Sequence, residues 1–452
     1  MPRNGGIALK TRIVALIMSV VMIALLFNGC SLSLKAPETL MSPPKLTGGH
    51  QALQDIFETE VGTNAALIAP INGEHKSAFI IDDFNSDSME EAMVFYSVKE
   101  TEETVSVGIF QKENEEWKYI KSVTGLGSSI DTVVIEDMNG DGIKEIIIGW
   151  NLSTFNKQVS VYEPDLSLPN AFTGLGSYQY NLLEMIDVDS DGGKELFFVN
   201  LDTTGVVPSA TANVFKIEEN KRAINELSTI SIDGNVSGYN QITVGDDGYI
   251  YVDAFKNEHD MITEILSWDD KTNSLNAPLF DSETQSTTAT WRSFRIPVSD
   301  IDSDGKLEVP VGVEVVGSTQ VKSGALQEES IYYVKWCSFA DGKLKAEKYC
   351  LYNTAEGYSL DIPSSWVGKI TITSLDSQWY FYRWNKSASE HLGDLLFTVV
   401  SHATDTPGLD GYSRLTEYNN KAYEYLITAS GKSFGVKDNH FKDGFSVTDI
   451  GG

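Results

Sequence analysis

The chain has 452 residues, with 64 Asp and Glu against 34 Lys and Arg, for a net charge of −30. Hydrophobic residues make up 41 % and charged residues 22 %, enough apolar material for packed cores and too much for a disordered chain. The charge excludes nucleic acid, whose binding depends on basic residues neutralising phosphates, and docking on an anionic lipid surface; it points instead to bound cations.

Arg3, Lys10 and Arg12 precede an apolar run, Ile13 to Leu26. The run is shorter than the roughly 20 residues of a membrane-spanning helix and fits the core of a signal peptide. It ends in Phe27-Asn28-Gly29-Cys30. A small residue directly before a cysteine at this place resembles the bacterial lipoprotein signal, with Phe27 where Leu is usual. That resemblance implies removal of residues 1–29 and a lipid on Cys30. The mature protein would then sit on the extracytoplasmic face of a bacterial cell membrane. An ordinary cleaved signal or an uncleaved anchor is the alternative.

Residues 30–48, with Pro37, Pro43 and Pro44, read as a flexible tether. Residues 49–70 supply a short amphipathic helix, His50 to Val61, and a first strand, Ala65 to Ile71.

From residue 71 to 353 the chain repeats itself. Four nine-residue segments align without gaps, starting at Asp83, Asp137, Asp187 and Asp300, at separations of 54, 50 and 113 residues. The last interval is about two periods, so one copy has decayed. Thr124-Gly-Leu-Gly-Ser128 also recurs as Thr173-Gly-Leu-Gly-Ser177. Apolar strand patterns flank each segment: Ala78 to Ile81, Val133 to Ile135, Leu182 to Ile186 and Phe294 to Val298 before, and Ala92 to Tyr96, Ile146 to Ile148, Leu196 to Val199 and Val309 to Val313 after. Second hairpins follow, such as Val105 to Ile120 and Ile331 to Cys350. Four strands in about 50 residues is the unit of a β-propeller blade or related β-repeat array. The decayed copy lies within 236–290. There Lys256 and Glu258 occupy the first two ligand positions before Asp260, and a lysine ammonium in place of a cation leaves the copy metal-free. Alternatively, Gly245-Asp246-Asp247-Gly248 is a shortened, empty version of the loop.

Positions 1, 3 and 5 of each segment are Asp or Asn, and position 9 is Glu: Asp83, Asn85, Asp87 and Glu91; Asp137, Asn139, Asp141 and Glu145; Asp187, Asp189, Asp191 and Glu195; Asp300, Asp302, Asp304 and Glu308. Calcium takes about six to eight oxygen ligands, and a tight loop can turn alternate side chains inward. The backbone carbonyl of position 7 (Met89, Ile143, Gly193, Lys306) would add to them. Gly142, Gly192 and Gly305 at position 6 permit the sharp turn, where the first loop has Ser88. Turns alone do not need the glutamate. An EF-hand is excluded because position 12 is apolar in all four copies (Val94, Ile148, Phe198, Val311). The four loops hold 14 carboxylates, which points to about four calcium ions in a structural role.

These D-x-[DN]-x-D-G-x-x-[DE] segments resemble the FG-GAP/VCBS repeats of integrin α propellers, over residues 78–350 or so. The resemblance implies a mainly β, propeller-like array with calcium in the loop joining the first two strands of a blade. Five blades are counted here, one degenerate, against seven in integrins; the Ala65 to Ile71 strand is a candidate for a missing piece.

Cys337 and Cys350 flank the hairpin turn signal Asp341-Gly342. A two-residue turn puts Cys337 opposite Ala346 and Cys350 opposite Tyr333. The two are then about 13 Å apart, too far for a disulfide, so they read as free thiols.

Residues 354–452 read as a small α+β domain, with strands at Ile370 to Thr373, Trp379 to Trp384, Leu395 to Val400 and Tyr423 to Ala429. Ser387 to Gly393 and Tyr412 to Asn419 read as helical turns. The opening Tyr358-x-Leu-x-Ile-Pro-x-x-Trp366 faintly resembles PsbP/Mog1-like domains and carries no function. Trp366, Trp379, Tyr380, Tyr382 and Trp384 read as core rather than as a sugar-stacking platform.

Gly431-Lys-Ser433-Phe-Gly435 matches the nucleophile elbow, but the turn-rich residues after Ser433 lack its helix. The six histidines form no H-E-x-x-H zinc motif, and there is no P-loop. The reading is therefore a non-catalytic, membrane-anchored lipoprotein that binds an extracellular protein, glycan or envelope component. The alternative is a polysaccharide-acting extracellular enzyme or accessory subunit with its site in the propeller depression.

Overall fold

The computed structural model describes residues 48–98, 104–154, 156–165, 171–217, 223–321, 328–376, 378–386 and 392–448. The leader, Cys30, the tether up to residue 47 and most of the turn expected over 387–393 lie outside them. The chain divides into two units, one up to Glu58 and one from Thr59 onward. The first carries all but the last two residues of the expected amphipathic helix, observed as Gly48–Glu60. Leu53 and Phe57, one turn apart, are buried, while Gln51 and Gln54 donate to Asp55 and Glu58 on the exposed side.

The second unit is mainly β, built of antiparallel sheets of four or five strands and a two-stranded pair, Gln320–Val321 with Glu328–Glu329. In the first sheet Glu91–Val98 pairs with Phe79–Asp82 and Ala65–Leu67 on one side, and Ser106–Glu113 and Glu116–Thr124 follow. The second runs Ser129–Glu136, Glu145–Ser153, Asn156–Pro164, Phe172–Tyr180. The third runs Leu182–Ile186, Glu195–Asp202, Ser209–Ile217, Ile224–Ile232, and the fourth Gly238–Val244, Ile250–Phe255, Met261–Asp269, Ser274–Asn276. The fifth has Val309–Glu314, Tyr332–Ala340, Lys343–Asn353, Tyr358–Asp361 and the returning Phe445–Val447. The sixth orders Ile370–Leu375, Gln378–Trp384, Leu392–Ala403, Lys421–Ile427 and Ser413–Tyr418.

The apolar runs explain the stacking. Because strand side chains alternate between faces, a run apolar at every position can serve two neighbouring sheets. Ile146 and Ile148 join a cluster with Phe95 and Val107 of the first sheet, whereas Ile147 packs with Leu196 and Phe198 of the third. Phe197 and Val199 in turn meet Ile250 and Val252 of the fourth sheet, and Tyr251 and Ile265 meet Val309 and Cys337 of the fifth. Tyr333, Leu351 and Tyr358 of the fifth pack with Phe381, Phe397 and Tyr423 of the sixth. The expected boundary at 354 thus falls inside the fifth sheet.

Several local expectations change. Phe294 to Val298 is not a strand: Pro297 cannot donate to a ladder, the Val298 amide bonds Asp253 at 3.0 Å, and only Ser299 bridges to Glu308. Tyr412 to Asn419 is strand Ser413–Tyr418, because Asn419 and Asn420 both take positive φ (47° and 62°) and close a two-residue hairpin onto Lys421–Ile427. The Asp341-Gly342 turn is present and Cys337 faces Ala346, but a bulge after Trp336 moves Cys350 opposite Val334. Both cysteines are free and buried. Ser433 lies in the last turn of helix Ala429–Phe434, its hydroxyl bonded to the Ala429 carbonyl, so it is no elbow nucleophile. Trp366 and Trp379 are core; Tyr380, Tyr382 and Trp384 are half-buried.

Candidate metal centres

In the first sheet the acidic segment joins Phe79–Asp82 to Glu91–Val98, in the second and third it joins the first strand to the second, and in the fifth it joins the Ser299 bridge to Val309–Glu314. The position-9 glutamate therefore sits at or just before the start of the strand that follows the loop, central in the first three sheets and at the edge in the fifth. Glu91, Glu145, Glu195 and Glu308 are 1, 0, 0 and 3 % exposed. One oxygen of each accepts the backbone N–H of position 2 (Phe84, Met138, Val188, Ile301) at 2.9–3.1 Å.

The rest of the loop repeats with the same fidelity. Position 1 (Asp83, Asp137, Asp187, Asp300) accepts the N–H of position 6 at 2.9–3.2 Å. Oδ1 of position 3 (Asn85, Asn139, Asp189, Asp302) accepts the N–H of position 5 at 2.9–3.3 Å. Oδ1 of position 5 (Asp87, Asp141, Asp191, Asp304) accepts the N–H of position 7, from Met89, Ile143, Gly193 or Lys306, at 2.8 Å in every copy. Positions 4 and 6 both take left-handed φ, including Ser88 at 69°, so the first loop holds the common shape at a residue that resists it.

This network uses one carboxylate oxygen of positions 5 and 9, and of position 3 where it is Asp, and leaves the other to converge; Asn85 and Asn139 instead present their amide Nδ2 to Oδ2 of Asp87 and Asp141, both at 3.2 Å. In the third loop the Lys216 ammonium, from strand Ser209–Ile217, lies 3.3 Å from Asp189 Oδ2, 2.5 Å from Asp191 Oδ2 and 3.0 Å from Glu195 Oε1. A cation thus already stands among those oxygens. In the second loop Asn139 Nδ2 takes the same role toward Asp141 Oδ2 (3.2 Å) and Glu145 Oε1 (3.4 Å). In the fifth sheet, ligand oxygens of Asp300, Asp302 and Asp304 lie within 4.8 Å of one another.

Burial pushes the Glu91 and Glu145 carboxyls up to about 7, against the Phe84 and Met138 amides and with help from the aspartates of the same loop. Burial also raises Glu308. Such buried carboxylates call for a positive partner, and hard oxygen donors in this set fit calcium.

Neighbouring loops touch. The Lys144 amide donates to the Phe84 carbonyl at 2.9 Å, and Ser86 bonds the Gly142 carbonyl. The ammoniums of Lys144 and Lys194 at position 8 reach back to Asp82 (2.7 Å) and Glu136 (3.1 Å), which end the strand before the acidic loop of the preceding sheet. In the fourth sheet the equivalent connection is the turn at Gly245–Gly248, closed by a Gly245–Tyr249 backbone bond. The loop carrying Lys256, Glu258 and Asp260 joins the second strand to the third and is not the decayed copy. The shortened Gly-Asp-Asp-Gly turn is.

A separate cleft of about 380 Å³ lies between the first strands of the second, third and fourth sheets. Its walls include Glu74, Asp131, Lys157, Glu184 and Gln241. Asp131 is bonded by Tyr180 (2.6 Å), Asn72 (2.8 Å) and Lys157 (3.0 Å). Glu184 is exposed by surface area yet hemmed in by the cleft walls; that crowding, and then the charge of Glu74, raises its carboxyl. Neither Lys216 nor the Glu74–Glu184 pair was legible from motif spacing, since both depend on which strands lie side by side.

No protein-family model matches the chain, and no curated protein sequence does. Among solved structures, a rhamnogalacturonan lyase from Bacillus licheniformis is similar over 54 % of this chain and 59 % of its own, at 13 % identity and TM-score 0.29. An exo-β-1,3-galactanase from Clostridium thermocellum is similar over 85 % of this chain and 99 % of its own, at 10 % identity and TM-score 0.23. A hypothetical protein from Leishmania major is similar over 63 % and 89 %, at 9 % identity and TM-score 0.22.

Proposed function

We propose that the protein is a calcium-stabilised binding protein with FG-GAP/VCBS-like repeats in a propeller-like array. Cys30 would hold it by a lipid on the outer face of a bacterial cell membrane, and it would engage an extracellular protein, glycan or envelope component without catalysis. What supports this is one acidic loop with the same hydrogen-bond network repeated in four sheets, its carboxylate oxygens drawn together in the third and fifth. Calcium there would neutralise the buried position-9 glutamates and tie each first-to-second-strand connection. The position-7 carbonyls would complete the ligand set. Affinity belongs in the weak extracellular class, about 10⁻⁴–10⁻³ M. At ten to a hundred times that concentration each ion adds roughly 1.4–2.7 kcal/mol. Chelation with EDTA is therefore expected to lower the melting temperature by several degrees and added calcium to restore it; superimposable melting curves would remove the metal assignment.

The cleft favours a second reading, a polysaccharide-acting enzyme or accessory subunit. Two neighbouring carboxylates, one with a raised pKa, suit general acid and base roles at a glycosidic bond. Under that reading the chain depolymerises a polysaccharide and Glu184→Gln lowers the rate at least a hundredfold. A wild-type chain inert on a broad polysaccharide panel removes it.

A further inference from the structure

We infer that Lys216 is a built-in cation that takes the place of calcium in the third loop, so that this loop is neutralised by the chain itself and three loops take metal. The inference rests on the reading of these loops as calcium sites. Its basis is the choice of atoms. Lys216 contacts Oδ2 of Asp189, Oδ2 of Asp191 and Oε1 of Glu195, the very oxygens that the backbone network leaves free.

The lysine is delivered by a rigid element. Lys216 pairs with Asn225 in the ladder of the third sheet, and Leu196 pairs with Phe215, which brings Lys216 opposite Glu195. At the same register the first sheet has Gln111, which pairs with Glu91 and donates to it at 3.3 Å. The second sheet has Glu163, one residue past the Ile146–Tyr162 pair. The fifth has Ser338, one residue past Cys337 opposite Val309, and its hydroxyl bonds Glu347 at 2.9 Å. Among these four positions only Lys216 carries a positive charge.

The third loop also holds four carboxylates where the first and second hold three. Unneutralised, it would be among the most repulsive of the set. A divalent ion entering it would have to expel an ammonium already in contact with three carboxylates, whereas in the other loops it meets neutral amides or free oxygens.

The test counts calcium bound per full-length chain by equilibrium dialysis and elemental analysis. Wild type is expected to bind three ions, and Asp189→Ala also three. Lys216→Met, which keeps the aliphatic stem, is expected to bind four, and adding Asp189→Ala to it to return the count to three. Asp304→Ala, expected to fall from three to two, shows that the assay senses the loss of one loop. Should Lys216→Met lose its folded circular-dichroism spectrum, Lys216→Gln, an amide like Gln111, takes its place with the same expectation of four. Four ions in wild type with three in Asp189→Ala would overturn this inference and leave the calcium reading standing. No ion in any variant would overturn both.

Discussion

The fourth sheet and the loops of the first, second and fifth sheets meet the same electrostatic demand from opposite sides. Each repeat places acidic side chains where two sheets press together. In the loops the acids converge near a solvent-facing rim, where an ion from outside can reach them. In and around the fourth sheet the acids lie deeper and the chain brings its own cations. Asp253 and Arg292 are both 0 % exposed and pair at 2.9 Å, with Thr263 and the Val298 amide filling the other bonds. Asp233 pairs with Lys256 at 2.8 Å, and Glu264 accepts the Asp233 amide and the Thr287 hydroxyl. The third loop stands between the two solutions, with a rim site shaped for an ion and a lysine inside it. The fourth sheet, whose corresponding connection is the short Gly245–Gly248 turn, is thus held by internal cations.

The largest expected effect is at Arg292. Arg292→Met leaves Asp253 buried without its cation, and breaking one partner of a buried pair costs about 3–5 kcal/mol. Urea unfolding should show that loss equally in saturating calcium and in EDTA. A loss that vanished on chelation would mean that the fourth sheet depends on metal after all, and the contrast would fail.

A smaller effect sharpens the same contrast at Glu264, whose carboxyl burial pushes up to about 7 against the Asp233 amide and Thr287 hydroxyl. The folded chain then holds a proton that the unfolded chain, with an ordinary carboxylate pKa, releases. Stability contributed by this group is present below about pH 4.5 and is lost as pH rises through about 7. Glu264→Gln should lack that decline, so the variant gains on wild type between pH 5 and pH 8 by on the order of 2 kcal/mol. Parallel pH profiles for the two proteins would show that Lys256 already neutralises Glu264 in full.

Much of this was legible before any coordinates. The four acidic segments recur in phase, and the structure gives them one shape down to the 2.8 Å bond between positions 5 and 7. The helix near residue 50 and the Asp341-Gly342 turn were equally plain, since both rest on local chemistry. The degenerate repeat was not. Lys256, Glu258 and Asp260 match the spacing better than Gly245–Gly248 does, and only strand pairing shows which connection is equivalent. Phe294 to Val298 looked like a strand because its apolar residues alternate, while the Val298 amide was taken by an aspartate some 45 positions away.

What the amino-acid order settled alone is the inventory: β-forming runs apolar enough to be covered on both faces, turns marked by glycine, asparagine and aspartate, and oxygen ligands at alternate positions. These follow from interactions within about ten residues of chain. Which cation answers each cluster was decided by tertiary structure, because Lys216 and Glu195 are neighbours only across a ladder, and Arg292 and Asp253 only across a packed core. Charge compensation acts over a few ångströms of space, and distance along the chain says nothing about it until the sheets are stacked.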